Sequence, residues 1–126
     1  VFTDVRPAMR IWREEIFGPV TVIAPFESEA EAVELANAVP YGLAASVWTR
    51  DIARGPRVAA AIEAGVCWIN DHHRIDPASP WGGLKESGIG RENGLEAYRE
   101  YTQTKSVIVN LDDTPFDWYG ESSRYS

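Results

Sequence analysis

An apolar, largely β-branched run stands directly before a strong helix-start signal, and a second apolar run follows that helix after a short turn; this order restricts the chain more than any other feature. Residues 20–26 are mostly apolar and β-branched, and Ser28-Glu29-Ala30-Glu31 follows at once. That tetrapeptide is a capping box, in which serine and glutamate satisfy the first free backbone donors of a helix. Ala32, Leu35, Ala36 and Val39 then recur at helical spacing and predict a helix over residues 28–38. Pro40-Tyr41-Gly42 supplies a turn, residues 43–49 read as a buried strand, and Asp51 is placed to cap the next helix. Pro56 would cost about 3 kcal/mol inside that helix, so a short turn from Asp51 and a helix beginning near Pro56 are expected. Gly65 is expected to end it, and residues 66–70 form the next strand.

Strand, helix, strand, helix, strand with short connectors implies right-handed parallel crossovers and an α/β fold covered on both faces. Ligands of such sheets bind in loops at strand ends. Residues 71–90 carry two prolines and four glycines without a usable period, and long shaped loops in compact domains are usually functional. A last helix is expected over residues 91–100, weakened by Gly94 in its first turn. Residues 105–111 alternate as a strand, with Val107 and Val109 on one face, and residues 112–126 form an acidic, aromatic tail with no regular structure.

Nineteen acidic against twelve basic residues give a net charge of -7, which argues against nucleic acid and anionic lipid as partners. No apolar run is long enough to span a bilayer. A single cysteine cannot form an internal disulfide, and no amino-terminal signal pattern is present, so a cytoplasmic setting is expected.

Glu14-Glu15-Ile16-Phe17-Gly18-Pro19-Val20 sets a carboxylate and an aromatic ring two residues apart before a Gly-Pro stop. In an extended segment such residues share a face. A carboxylate suits the vicinal hydroxyls of a ribose, and a ring beside it can pack on a flat heterocycle. Four further stretches follow in order: Tyr41-Gly42-Leu43-Ala44-Ala45, Ala64-Gly65-Val66-Cys67-Trp68-Ile69-Asn70, Ser79-Pro80-Trp81-Gly82-Gly83-Leu84-Lys85-Glu86-Ser87-Gly88-Ile89-Gly90-Arg91-Glu92 and Tyr101-Thr102-Gln103-Thr104-Lys105. Together the five resemble the carboxyl-terminal part of a NAD(P)-dependent aldehyde dehydrogenase, with a betaine or aminoaldehyde dehydrogenase flavour.

The resemblance implies that residues 1–104 are part of the catalytic α/β domain, with a mostly parallel sheet and flanking helices. Residues 105–111 would be an oligomerisation strand serving a homodimer or homotetramer. It implies oxidation of an aldehyde to a carboxylic acid with NAD, or NADP, through a cysteine thiohemiacetal and thioester. The reactive cysteine and the general-base glutamate of the family match nothing in this chain, so these 126 residues alone are expected to be inactive. Glu15 and Phe17 match cofactor-binding positions at the nicotinamide riboside. Ile75 and Trp81 match positions that contact the aldehyde's side chain, and an indole face there attracts a cationic head group. Glu92 matches a carboxylate assigned to proton relay in some members. Lys85 and Gly88 match positions whose backbone carbonyls bind a monovalent cation, potassium, in some betaine aldehyde dehydrogenases.

Other readings compete. Cys67 lies between Val66, Trp68 and Ile69, an apolar setting that keeps a thiol protonated and inert. Gly88-Ile89-Gly90 falls short of a dinucleotide fingerprint, because the third glycine is late and no strand precedes it; the glycines instead suggest close backbone approach. Asp71-His72-His73 with Asp76 could suggest the metal centre of a phosphoesterase, but adjacent histidines on an extended chain would point to opposite faces. A noncatalytic interaction module that kept the fold is the remaining alternative.

Overall fold

The computed structural model describes residues 1–111 and residue 113. Along it run α1 (Arg10–Arg13), α2 (Glu29–Asn37), β1 (Tyr41–Gly42), β2 (Ala44–Val47), α3 (Arg54–Ala61), β3 (Val66–Ile69), β4 (Leu84–Lys85) and α4 (Gly94–Glu100). The expected crossover is present: β2 and β3 pair in parallel, with Ala44 opposite Val66 and Val47 opposite Ile69, and α3 connects them. A second small sheet pairs β1 with β4 antiparallel, Tyr41 opposite Lys85. The α/β class therefore holds, with two separate two-stranded sheets in place of one larger sheet.

The capping box forms with one shift. Ser28 Oγ accepts from the Glu31 amide at 3.1 Å, but Glu31 reaches back to the amide of Glu27, not of Ser28, at 2.7 Å. Helix α3 starts two residues before Pro56, at Arg54, and the proline still sits within the first turn, where an amide proton has no helical partner. Asp51 Oδ1 accepts from the amides of Ala53 and Arg54, and these two bonds hold its carboxyl below the usual carboxylate range. α2 is clipped to α3 at both ends. The Glu29 carboxylate takes both Arg57 and Arg54, while the Asn37 side chain bonds the Ala61 carbonyl and the Glu63 amide.

Several expected elements differ. Residues 20–26 make only one bridge, Val22 with Phe2, because a strand needs a partner to form a ladder and the described residues supply no other. Residues 105–111 are exposed and form no ladder among the described residues, for the same reason. Gly65 does not end α3, which stops at Ala61; the short turn α1, held by an Arg10–Glu14 ion pair at 2.7 Å, has no periodicity to announce it. The loop over residues 71–90 includes β4 and a bridge between Trp81 and Glu92. Helix α4 starts at Gly94 and not at Arg91, so this glycine opens the helix, at a φ of +63°.

Gly65 has another use. A Cβ there would overlap the carbonyl of Gly82, and one on Gly82 would overlap the carbonyl of Gly90. The loop leaves β3 at Asn70 and returns to its beginning at Gly65, so it retraces the strand over one face. Among the described residues no apolar side chain is fully buried, and Phe17, Ile89 and Ile108 are more than nine-tenths exposed. Apolar area of this extent is an interaction surface.

Gly65→Ala is expected to destabilise the folded protein by about 1–3 kcal/mol through backbone overlap. Gly90→Ala, where a Cβ meets nothing, should stay within about 0.5 kcal/mol. Urea denaturation midpoints compare the two.

Candidate functional site

Two regions gather the candidate residues. The first is an open recess of about 680 Å³ lined by Ile11, Glu14, Glu15, Ile16, Phe17, Gly18, Val20 and Val22. It brings together Glu15 and Phe17. The neighbouring Glu14 is committed to Arg10 by two hydrogen bonds, at 2.9 and 2.7 Å, which lower its carboxyl pKa. Glu15, by contrast, makes no hydrogen bond or ion pair among the described residues. A free carboxylate beside a ring that is 98% exposed is an acceptor and a flat surface without protein partners. These groups fit a sugar-linked aromatic heterocycle such as a nicotinamide riboside.

The second region lies over the end of β3. Asn70 takes a left-handed conformation at φ +54°, and its side chain bonds both the amide and the carbonyl of Thr49 at 2.8 Å. This amide clamp acts as one more rung of the β2–β3 ladder and directs the chain back over the sheet. Trp68 then anchors the returning loop, its indole N–H donating to the Arg74 carbonyl at 2.9 Å. Its ring centroid lies 5.6 Å from His72, 6.5 Å from His73 and 5.7 Å from Trp81. A four-ring wall results. His72 and His73 do not point to opposite faces, as an extended path would require, because His73 adopts φ +59° and turns the two rings to within 5.9 Å.

Trp81 and Glu92 exchange both backbone hydrogen bonds, at 2.6 and 2.7 Å, which puts their side chains on one face of that bridge. A carboxylate thus stands beside the indole wall. Arg91 secures the loop by donating to the carbonyls of Gly83 and Gly90, both at 2.8 Å. Ile75 is half exposed, and no ring contact joins it to the wall. Among the described residues no group of three or more His, Cys, Asp or Glu is placed to hold a metal ion.

Lys85 and Gly88 fall on a tight turn with φ of +53° and +136°. The Lys85 ammonium caps the end of α2, donating to the carbonyls of Asn37 and Val39 and pairing with Glu63 at 2.6 Å. The Gly88 carbonyl accepts no hydrogen bond among the described residues. Cys67 is half-buried in β3, and burial pushes its thiol up. Trp68 and Asn70 carry no site role in the sequence reading, and the close backbone approach expected of Gly88 and Gly90 falls instead at Gly65 and Gly82, since a Cβ on Gly88 or Gly90 would meet nothing.

An α/β crossover unit with its reactive groups in strand-end loops is the class these observations define. Residues 1–107 match the aldehyde dehydrogenase family, and the chain belongs to it. It is 50% identical over 118 residues to the betaine aldehyde dehydrogenase of Cereibacter sphaeroides, covering 92% of this chain and 24% of that protein. With that of Bacillus subtilis it shares 45% identity over 119 residues, 94% of this chain and 24% of the other. Among solved structures it superposes with a TM-score of 0.86, at 45% identity, on betaine aldehyde dehydrogenase from Staphylococcus aureus in complex with NAD+, covering 94% of this chain and 24% of that one. An NAD-dependent aldehyde dehydrogenase from Sinorhizobium meliloti gives 0.85 at 44% identity, again covering 94% and 24%. The chain therefore spans about a quarter of the length of the relatives it matches.

Because desolvation raises the Cys67 pKa, the thiolate fraction near pH 8 is below that of a free cysteine. Alkylation by iodoacetamide should be several-fold slower in the folded protein than in urea. Equal rates would contradict this.

Proposed function

We propose that this chain acts as one part of an aldehyde dehydrogenase subunit that oxidises an aldehyde to its carboxylic acid, and that it supplies the nicotinamide-ribose contacts and one wall of the aldehyde pocket. The observation that carries the reading is the shared recess of Glu15 and Phe17, one an unpaired acceptor and the other an exposed ring. A bound NAD+ would supply the hydride acceptor. Glu15 would accept hydrogen bonds from the ribose hydroxyls, and Phe17 would restrict the tilt of the heterocycle. The choice of NAD+ over NADP+ is supported by the Staphylococcus aureus relative, whose structure is an NAD+ complex.

The substrate we favour carries a cationic head group. Two indoles, Trp68 and Trp81, and the carboxylate of Glu92 on the Trp81 face form a surface suited to an ammonium, and the betaine aldehyde dehydrogenases among the relatives support it. Ile75 would complete the wall. Glu92 is also the candidate proton relay, since it stands in an exposed loop that water can reach. A monovalent cation such as potassium would take the carbonyls of Lys85 and Gly88, oxygen donors of the hardness such an ion requires. The exposed apolar segment over residues 105–111 would pair as a strand across a subunit boundary in a homodimer or homotetramer, which also covers an aggregation-prone surface. The acidic tail over residues 112–126 lies outside the described residues except for Asp113. No helix among the described residues is long and apolar enough to cross a membrane.

Purified residues 1–126 should produce no NADH from any aldehyde, since neither the reactive cysteine nor the general base is present; steady turnover would overturn the division of roles. In a complete subunit containing this chain, Glu15→Ala should raise the KM for NAD+ at least about tenfold, the loss of one charge-assisted hydrogen bond, with little change in the aldehyde's KM. Equal changes in both would contradict the placement of Glu15.

A further inference from the structure

Ser46 and Trp68 occupy the same rung of the parallel β2–β3 pair. Residues opposite each other on a ladder project to one face, and the loop after Asn70 folds back over it. His72 meets both at once. Its Nδ1 lies 2.9 Å from Ser46 Oγ, the hydroxyl donating when Nδ1 is unprotonated, and its ring stands edge-on to Trp68 at 5.6 Å and 66°. The first loop turn is itself braced, Asp71 accepting from the His72 amide at 2.8 Å and pairing with Arg74 at 3.0 Å. Trp68 is therefore held from two directions, by the Arg74 carbonyl at its N–H and by His72 at its ring. Trp81 packs against it at 5.7 Å and touches the described protein's rings only there and at His73, 6.2 Å away.

We propose that His72 is a positioning residue for the aldehyde pocket: bonded to Ser46 across the β2–β3 sheet, it fixes Trp68 and through it the angle at which Trp81 faces the substrate. The proposal rests on the reading that Trp81 lines that pocket. An indole attracts a cation over its face and not at its edge, so a change of ring angle weakens binding of an ammonium-bearing aldehyde more than of a neutral one. The strut acts on the ground-state fit of the head group, away from the reacting carbonyl. Its loss should therefore appear in KM and leave kcat alone.

The test uses a complete subunit containing this chain, with Ser46→Ala, His72→Phe and the double substitution. His72→Phe keeps a ring and removes the hydrogen bond; Ser46→Ala removes the same bond from the other side with little disturbance of the strand. Two readouts are taken: near-ultraviolet circular dichroism, to which the close Trp68 and Trp81 pair contributes, and KM for betaine aldehyde against propanal. Each single substitution should lower the dichroism, and the double should lower it no further. KM for betaine aldehyde should rise about three- to tenfold, the worth of one hydrogen bond, with kcat and the KM for NAD+ unchanged and propanal affected less. Unchanged dichroism in both single variants, or additive effects in the double, overturns the strut. Lowered dichroism with unmoved aldehyde KM supports the strut and overturns the placement of Trp81 in the pocket.

Discussion

Backbone against backbone at Gly65 and Gly82 is the contact on which the rest of the arrangement depends. These two residues have no side chains to separate them, and the carbonyl of Gly82 occupies the place where a Cβ of Gly65 would stand. Their contact forces the segment leaving β3 to come back to the start of the same strand. Trp81 is thereby carried over Trp68, and β4 is delivered to its pairing with β1. The N-terminus of α4 closes on the same loop, its Gly94 amide donating to the Pro77 carbonyl at 3.0 Å. A loop of irregular sequence is in this way given a single path.

Polar clips do much of what a core does elsewhere. Glu29 and Asn37 tie α2 to α3, Lys85 caps α2 from β4, and the Asn70 amide prolongs the ladder to Thr49. Exposed ion pairs are each worth little, so these clips set geometry more than stability. The missing stability belongs to the apolar surface, which faces solvent along Phe17, Ile52, Ile89 and Ile108. With the chain spanning about a quarter of its relatives' length, those faces are where the remainder of a subunit would pack.

The elements with local causes were readable from the residues. Ser28 with Glu31, and Asp51 with the proline three residues into α3, announce their helices through groups a few positions apart. Strands over residues 20–26 and 105–111 were not realised as ladders, because a strand is defined by a partner and composition says nothing about whether one is present. At the site, Glu15 and Phe17 could be paired by their spacing alone. The ring wall could not, since it depends on a left-handed turn at His73 that no glycine or asparagine marks.

A crystal structure of a complete subunit containing this chain with bound NAD+ tests the central claim most directly. The account predicts the Glu15 carboxylate within hydrogen-bonding distance, about 2.7–3.0 Å, of the nicotinamide ribose hydroxyls, with the Phe17 ring beside the nicotinamide. A ribose held elsewhere, with Glu15 facing solvent or another part of the subunit, would contradict it.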